Sequence, residues 1–575
     1  MASRKEFVQG KVILALLVGL SPWWMHSWAL GQTDTVQTNV PALKEVFAHD
    51  FFIGCLLSYR HVGLPDDPYV PGQSPVVAPN GGYLIRYHMN SMSPGNNMKP
   101  QYTVDIAGSA AAYNTAPNQA TRDSIDVHPI IRFNGDLIAQ LNWAKRQSFT
   151  FRGHTLVWHS QTPAAFFRSG YTEGGPRLSK EKMTERMEHY IREVIRLLHE
   201  GWPGLLSAMD VVNEAVLDNG QDRTDSEWFR TFGDNSYIMK AFELTRKYCL
   251  AYGETQMKLY YNDYNTHLPA KADGIVRVCA PVYAAGYLDG IGMQEHDALT
   301  SPTAEQWIAS YEKFFPICNE MAVTELDVTT GYAQPPMEVL RQQANQYGQL
   351  FKCFVERSYF SGRGKIISVS KDGLNDQYTF KTNQSSSLWD AHNQCKPAFF
   401  AVVAVGTYYN GLDSLLAGAE ALQEGDFSAE SWASFVKAVA VARNAMARNY
   451  SYTTSAADTL EAAFVALKAS IDALQPASSV TLADDGQPQQ FCLTPNYPNP
   501  FRATTAISYR LVINTEVRIK IFDLRGREVA TLVDGFQGPG EYVLRLDAGS
   551  LPAGTYVCHL KAGNIVETRK LTLIR

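Results

Sequence analysis

The feature that most restricts the fold of this chain is the alternation of short apolar runs with amphipathic helical segments. Apolar runs occur at residues 155–158, 209–212 and 321–324, and residues 183–198 carry apolar side chains at helical spacing. Alternating strand and helix signals are typical of a parallel α/β architecture. We therefore predict an α/β fold for residues 40–405, a (β/α)8 TIM barrel with inserted loops.

The remainder of the chain differs in composition from this region. Residues 412–475 are rich in Ala and Leu and carry three apolar stripes at helical spacing, which predicts a small three-helix bundle. Residues 476–491 are polar and are predicted to be a linker. Residues 492–575 alternate apolar and polar side chains between glycines, which predicts a C-terminal β-sandwich.

The first 31 residues have the pattern of a signal peptide. Basic residues precede a short apolar stretch, and small residues follow near position 29. The alternative is a membrane anchor, but the stretch is short for a span of about 20 residues and Pro22 interrupts its continuation. We expect an exported protein whose mature chain has no membrane span.

Charge and cysteine spacing exclude several classes of function. The chain has 51 basic and 57 acidic residues and a net charge of −6, so it has no basic excess for a nucleic-acid partner. None of the eight cysteines forms a C-x-x-C pair, which argues against structural zinc. His154 and His159 lie an odd number of residues apart, so a strand would point them to opposite faces. We expect no metal and no cofactor in catalysis.

The strongest chemical signal is a pair of glutamates, each at the end of a strand-like run. Residues 209–214 end in Asn-Glu, and residues 323–327 present a second glutamate. The carboxyl ends of barrel strands face the active site, and two carboxyl groups delivered there are the minimal equipment for glycoside hydrolysis. One must be protonated and the other ionised, which different surroundings can achieve. Either glutamate alone would more often be a solvated or salt-bridged residue.

Four further segments occur around these motifs, at residues 88–99, 152–161, 260–265 and 290–296. In order and spacing, residues 40–405 resemble a glycoside hydrolase family 10 endo-β-1,4-xylanase. The resemblance implies hydrolysis of xylan with retention of configuration, with Glu325 as nucleophile and Glu214 as general acid/base. Retention implies that the two carboxyl groups lie about 5–5.5 Å apart.

The resemblance also implies a set of substrate-binding residues around this pair. Asn213 should bond the 2-hydroxyl of the sugar being cleaved, and His296 should orient Glu325. The remaining expected contacts are Asn96, Lys99, His154, Trp158, Tyr264 and Gln294.

The chain departs from the family pattern at three places, one of which is Met209 where the family usually has Trp, a change in packing. Gly95 stands where the family usually has Glu, and residues 366–378 lack the two Trp residues usual for the eighth strand. The insertions at 60–82 and 103–130 are candidates to rebuild the wall of the cleft. Two alternatives to plain xylan hydrolysis therefore stay open: a hydrolase of another β-1,4-glycan or a decorated xylan, and a catalytically silent surface glycan-binding protein.

The two smaller regions have resemblances of their own. Residues 412–475 resemble a FIVAR-type helical module. Residues 496–501, 522–529 and 551–556 carry motifs similar to those of the type IX secretion system C-terminal sorting domain. That resemblance implies passage through the type IX secretion machinery to the medium or the outer cell surface. The alternative for this tail is a sugar-binding or spacer β-sandwich.

Overall fold

The computed structural model describes residues 36–62, 70, 77, 80–452, 459–475, 492–524, 526–549, 551–563 and 565–574. The chain divides into two compact units, one ending at Ala477 and the other beginning at Ser478. The predicted signal peptide at 1–31 and the predicted linker at 476–491 lie outside the described residues. Both therefore stay predictions.

The first unit contains a closed barrel of eight parallel strands, which confirms the predicted (β/α)8 fold. Each strand pairs with the next around the ring, and the last pairs with the first. A short strand, β7, follows β6 after two residues and also pairs with β8. The strands are β1 (Phe52–Leu56), β2 (Ser91–Ser93), β3 (Thr150–Trp158), β4 (Leu206–Asn213), β5 (Lys258–Asp263), β6 (Gly290–Met293), β7 (His296–Ala298), β8 (Glu320–Thr329) and β9 (Ile366–Lys371).

Helices connect the barrel strands, and α7 shows why these segments are helical. Its N-cap Ser179 accepts a hydrogen bond from the backbone N–H of Lys182, and the apolar side chains of its buried face recur at spacings of three and four residues. The helices of the barrel are α1 (Leu43–Val46), α2 (Asn80–His88), α3 (Pro100–Thr103), α4 (Ile106–Thr115), α5 (Gln119–Val127), α6 (Gly135–Gln147), α7 (Lys180–Gly201), α8 (Glu227–Phe232), α9 (Ser236–Tyr252), α10 (Pro269–Ala284), α11 (Ala304–Phe314), α12 (Met337–Val355) and α13 (Pro397–Ala404).

Three more helices follow the barrel, as the apolar stripes predicted: α14 (Asn410–Ala419), α15 (Ala429–Ala447) and α16 (Leu460–Asp472). Their buried side chains, such as Leu412, Phe435 and Leu467, belong to the same hydrophobic core as the barrel. The backbone N–H of Tyr450 also donates to Oε1 of Gln349 on α12, at 2.5 Å. The three helices therefore pack against the barrel. A separate helical module with boundaries at 412 and 475 stays a prediction.

The second unit is built from antiparallel strands in two sheets, in agreement with the predicted β-sandwich. One sheet has the order β10-β11-β14 and the other β13-β12-β15-β16. Apolar side chains such as Ile507, Ile519 and Leu560 form a core of its own. The strands are β10 (Cys492–Leu493), β11 (Thr504–Leu511), β12 (Thr515–Asp523), β13 (Glu528–Gln537), β14 (Gly540–Asp547), β15 (Gly554–Ala562) and β16 (Ile565–Leu573).

Candidate active site

A cleft of about 590 Å³ lies at the carboxyl ends of the barrel strands. Both predicted glutamates line it: Glu214 directly follows β4, and Glu325 lies within β8. Two other predicted residues, Asn213 and His154, are buried next to the lining. The other predicted residues that line the cleft are Asn96, Lys99, Trp158, Tyr264, Gln294 and His296.

The carboxylate of Glu214 accepts hydrogen bonds from three side chains. Trp158 Nε1 donates to its Oε2 at 2.9 Å. Gln294 Nε2 and Asn213 Nδ2 donate to its Oε1 at 2.8 and 3.1 Å. The backbone of Glu214 turns sharply at the strand end, with φ of 57°. Its carbonyl oxygen accepts from Arg223 Nε at 2.7 Å, so backbone and side chain are both fixed.

The carboxylate of Glu325 lies in a more positive environment. Asn262 Nδ2 donates to its Oε1 at 3.1 Å, and His296 Nε2 lies 3.5 Å from its Oε2. Burial alone would raise the pKa of Glu325. The hydrogen bond from His296 and the electrostatic effects of His154, His296 and Lys99 outweigh burial and lower the pKa to about 2. Glu325 is therefore ionised across the neutral and mildly acidic range.

His296 is held between two carboxylates. Its Nδ1 lies 2.8 Å from Asp327 Oδ2, and its Nε2 faces Glu325. Burial alone would lower the pKa of His296, but the hydrogen bonds with Asp327 and Glu325 outweigh it and raise the pKa to about 10. The ring is thus an imidazolium that fixes the orientation of Glu325.

Asn262 connects the two glutamates, although sequence reasoning assigned it no role. Its Nδ2 donates to Asn213 Oδ1 at 2.9 Å as well as to Glu325, and its Oδ1 accepts from Thr324 Oγ1 at 2.7 Å. Since Asn213 bonds Glu214, two amides bridge the carboxylates. The available signal was a polar residue near the end of a strand-like run, within the segment 260–265.

Lys99 and Asn96 lie together on one wall of the cleft, as expected. Lys99 Nζ donates to Asn96 Oδ1 at 2.7 Å and to Gln161 Oε1 at 2.8 Å. It also lies 4.5 Å from the centroid of the Trp158 ring, within range of a cation–π contact. Burial lowers the pKa of Lys99, and the nearby carboxylates of Glu325 and Glu214 oppose that shift.

The two histidines of β3 and its following loop have different partners. His154 Nδ1 lies 2.9 Å from Asp210 Oδ2, which also accepts from Arg152. His159 Nδ1 lies 3.8 Å from Glu214 Oε2. The pair therefore has no shared site of the kind that metal binding would need.

One face of the Tyr264 ring is already covered, because Lys271 Nζ lies 3.4 Å from the ring centroid. The Tyr264 hydroxyl accepts from Arg223 Nη2 at 3.0 Å. Only the opposite ring face can stack on a sugar.

The loop after β9 supplies aromatic side chains where the two family Trp residues are missing. Tyr378 and Phe380 line the cleft. Phe380 is 59% exposed and meets the His296 ring edge-on at 4.9 Å. Within the described lining there is no residue from 103–130, and most of 60–82 lies outside the described residues.

Gly95 forms part of the cleft wall with no side chain. Its φ is 58°, and an added Cβ would lie 2.6 Å from the carbonyl oxygen of Leu57. Only glycine fits this backbone without strain. The cleft wall is therefore bare backbone at the position where the family usually has a glutamate.

Comparison with known proteins decides the family. The family model described as glycosyl hydrolase family 10 matches residues 72–405. The chain belongs to glycosyl hydrolase family 10. A second model, the secretion system C-terminal sorting domain, matches residues 496–574. The chain thus carries a type IX sorting tail, which directs it to the cell surface or the extracellular space.

The family 10 relatives are named as xylanases. The chain is 33% identical over 394 residues to endo-1,4-beta-xylanase Y of Acetivibrio thermocellus, covering 65% of this chain and 33% of the relative. It is 31% identical over 319 residues to a putative endo-1,4-beta-xylanase of Caldicellulosiruptor saccharolyticus, covering 54% of this chain and 97% of the relative. The chain spans about a third of the length of xylanase Y and of the bifunctional xylanase XylA of Ruminococcus flavefaciens.

Solved structures of family 10 enzymes share the barrel. The N-terminal part of Clostridium thermocellum xylanase 10B, solved with xylohexaose, has a TM-score of 0.53 at 30% identity and covers 63% of this chain and 67% of that chain. The xylanase TsXylA of Thermoanaerobacterium saccharolyticum, solved as a mutant with xylotriose, has a TM-score of 0.52 at 26% identity and covers 64% of this chain and 100% of that chain.

Among the described residues, no helix is long and apolar enough to cross a membrane.

Proposed function

We propose that this protein hydrolyses internal β-1,4-xylosidic bonds of xylan with retention of configuration. The observation that carries the proposal is the pair of buried glutamates in one cleft, joined by two amides and held in different surroundings. Glu325 is kept ionised by nearby positive charge. Glu214 accepts hydrogen bonds from neutral donors and lies beside the same space.

The roles follow from this difference. In the first step, Glu325 attacks the anomeric carbon while Glu214 protonates the departing glycosidic oxygen, and a glycosyl-enzyme ester forms. In the second step, Glu214 takes a proton from water, the resulting hydroxide attacks the anomeric carbon, and the Glu325 carboxylate leaves. Two inversions give retention, which requires carboxyl groups about 5–5.5 Å apart.

The neighbouring residues are proposed to hold the sugar at the point of cleavage. The Asn213 amide is placed to exchange its bond with Glu214 for one with the sugar 2-hydroxyl. Lys99, Asn96 and His154 offer hydrogen-bond donors on the adjacent wall, and the Trp158 ring forms part of that wall. The type IX secretion machinery is the proposed partner during export.

A second candidate is hydrolysis of decorated xylan, or of another β-1,4-glycan. Two features favour it: Gly95 offers no carboxylate to a sugar, and Tyr378 and Phe380 line the cleft where the family usually has two Trp residues. Initial rates on plain xylan, arabinoxylan and cellulose separate the candidates. Faster cleavage of cellulose than of xylan would overturn the xylan assignment.

The test of the proposed function is proton NMR of xylan during digestion. We expect new reducing ends that appear first as the β-anomer and then mutarotate. Glu325→Gln and Glu214→Gln should each abolish release, whereas Glu305→Gln, an exposed change on α11, should leave it unchanged. First products with the α configuration would refute the mechanism. A folded wild-type protein that releases no ends from any β-1,4-glycan would leave the silent glycan-binding alternative.

A further inference from the structure

A second group of ionisable side chains lies beside the active site, around the segment that joins β6 to β7. It consists of His267 in the loop after β5, Glu295 between β6 and β7, and Asp297 in β7. A ring nitrogen of His267, a carboxylate oxygen of Glu295 and a carboxylate oxygen of Asp297 lie within 4.8 Å of one another. The group is separate from the catalytic pair, since none of its members lines the cleft.

The two carboxylates of this group lack ordinary partners. Each residue is only 3% exposed. Both oxygens of Asp297 and Oε2 of Glu295 are buried and form no hydrogen bond within the part of the chain that the structure describes. The other oxygen of Glu295 accepts from Thr266 Oγ1 at 3.2 Å.

Neither carboxylate forms an ion pair with a lysine or arginine among the described residues. Other buried acids of the barrel do have such partners, for example Asp210 with Arg152 and Asp263 with Lys271. Buried carboxylates in proteins are generally paired with a cation or bound to a metal. Glu295 and Asp297 have no such partner in the described part of the chain, so the pair must either share a proton or bind a cation.

We propose that His267, Glu295 and Asp297 bind a divalent transition-metal ion, of which Zn²⁺ and Mn²⁺ are the best matches. One imidazole and two carboxylates suit these ions, whereas Ca²⁺ and Mg²⁺ prefer sites made of oxygen ligands alone. Bonds of about 2.0–2.2 Å to Zn²⁺ would draw the three side chains closer together than they lie in the free protein.

The site would act on the cleft through the backbone it fixes. Gln294 precedes Glu295 and bonds Glu214, and His296 lies between the two acidic ligands and faces Glu325. An ion held by His267 would tie the loop after β5 to this segment. The three ligands are thus positioning residues, and the binding of the ion does not depend on the proposed function of the cleft.

The test uses the full chain without a histidine tag, dialysed against a chelator and then against buffer. Separate additions of Zn²⁺, Mn²⁺, Ca²⁺ and Mg²⁺ are followed by calorimetric titration and by thermal unfolding. We expect one equivalent of Zn²⁺ or Mn²⁺ to bind. The Tm should rise by about 5 °C at a hundredfold excess over Kd. Ca²⁺ and Mg²⁺ should have little effect.

Two variants locate the site. Asp297→Asn and Glu295→Gln each remove a ligand charge without a large change in volume, so each should lose the equivalent of metal and the metal-dependent rise in Tm. Asp273→Asn, at an exposed acid on α10, is the matched control and should keep both. Because the variants keep the size of the side chain and break no ion pair with a lysine or arginine of the described residues, their Tm without metal should be close to that of the wild type.

Two outcomes would overturn the proposal. One is a wild-type Tm that responds neither to the chelator nor to any of the four ions, with no heat of binding. That result would leave the two carboxyl groups as a proton-sharing pair. The other is metal binding that persists unchanged in both variants, which would place the ion elsewhere.

Discussion

Replacing His296 with Asn should change the pH range over which the enzyme works. In the wild type, the pKa of Glu325 is about 2, against an ordinary value of 4.5. The difference corresponds to about 3 kcal/mol in favour of the ionised form. The hydrogen bond from His296 is the largest contribution in this direction, and burial opposes it. Without the imidazolium, the pKa of Glu325 should therefore rise to its ordinary value or above.

This change predicts a measurable loss at acidic pH. At pH 3.5, a carboxyl group with a pKa of about 2 is about 97% ionised, and one with a pKa of 4.5 is about 9% ionised. The variant should therefore fall to about a tenth or less of its own plateau rate, whereas the wild type stays near its plateau. The same sign applies to stability. The depressed pKa stabilises the fold fully above pH 4.5, and the effect is lost as the pH falls toward 2.

The assay is kcat/KM for an aryl β-xylobioside between pH 3 and 8. A good leaving group needs little protonation, so the acidic limb of the profile isolates the nucleophile. Trp158→Phe is the matched control, because it removes a hydrogen bond to Glu214 and leaves the contacts of Glu325 in place. A His296→Asn profile as flat as that of the wild type down to pH 3.5 would refute the reasoning.

Three further changes test other parts of the structure. Asn262→Ala leaves the Glu325, Asn213 and Thr324 side chains without their bridging partner, so it should lower the free energy of unfolding by about 1–3 kcal/mol and lower kcat. An unchanged Tm in thermal unfolding and an unchanged kcat in steady-state assays would contradict this. Phe380→Ala should remove about 1 kcal/mol of stacking and raise KM about fivefold with kcat nearly constant, whereas Phe380→Tyr should not; equal KM values would show that the ring does not contact substrate. Leu467→Ala opens a cavity in the shared core and should lower the free energy of unfolding by about 2–5 kcal/mol. In calorimetry, the barrel and the three helices should still unfold in one transition, at a lower Tm. A separate transition of the helices, with the Tm of the barrel unchanged, would argue against the shared core.

Much of the fold was predictable because its signals are local. Strand and helix periods lie within windows of ten to twenty residues, and the alternation of these periods predicted the barrel. Once a barrel is assumed, Glu214 directly follows one strand and Glu325 lies in the second half of another, so both are near the carboxyl ends where side chains converge. The C-terminal sheets were likewise indicated by alternation between glycines.

The partners of the glutamates were less predictable, because they come from distant parts of the chain. Asn262 bridges Asn213 and Glu325 only because β4, β5 and β8 curve around one axis. Phe380 reaches the cleft from the loop after β9, in a stretch with no recognisable period. The insertion at 103–130 was a candidate to rebuild the wall, but it contributes no residue to the described lining, where the loop after β9 places Tyr378 and Phe380.

The sequence alone determined the order of the strands and helices and the positions of the two glutamates along them. Hydrophobic period and chain order are properties of neighbouring residues, so they can be read without the fold. Only the tertiary structure decided which glutamate is held ionised and which buried acids lack a cation. Both depend on charge and burial, and these are set by residues that meet across the barrel after folding.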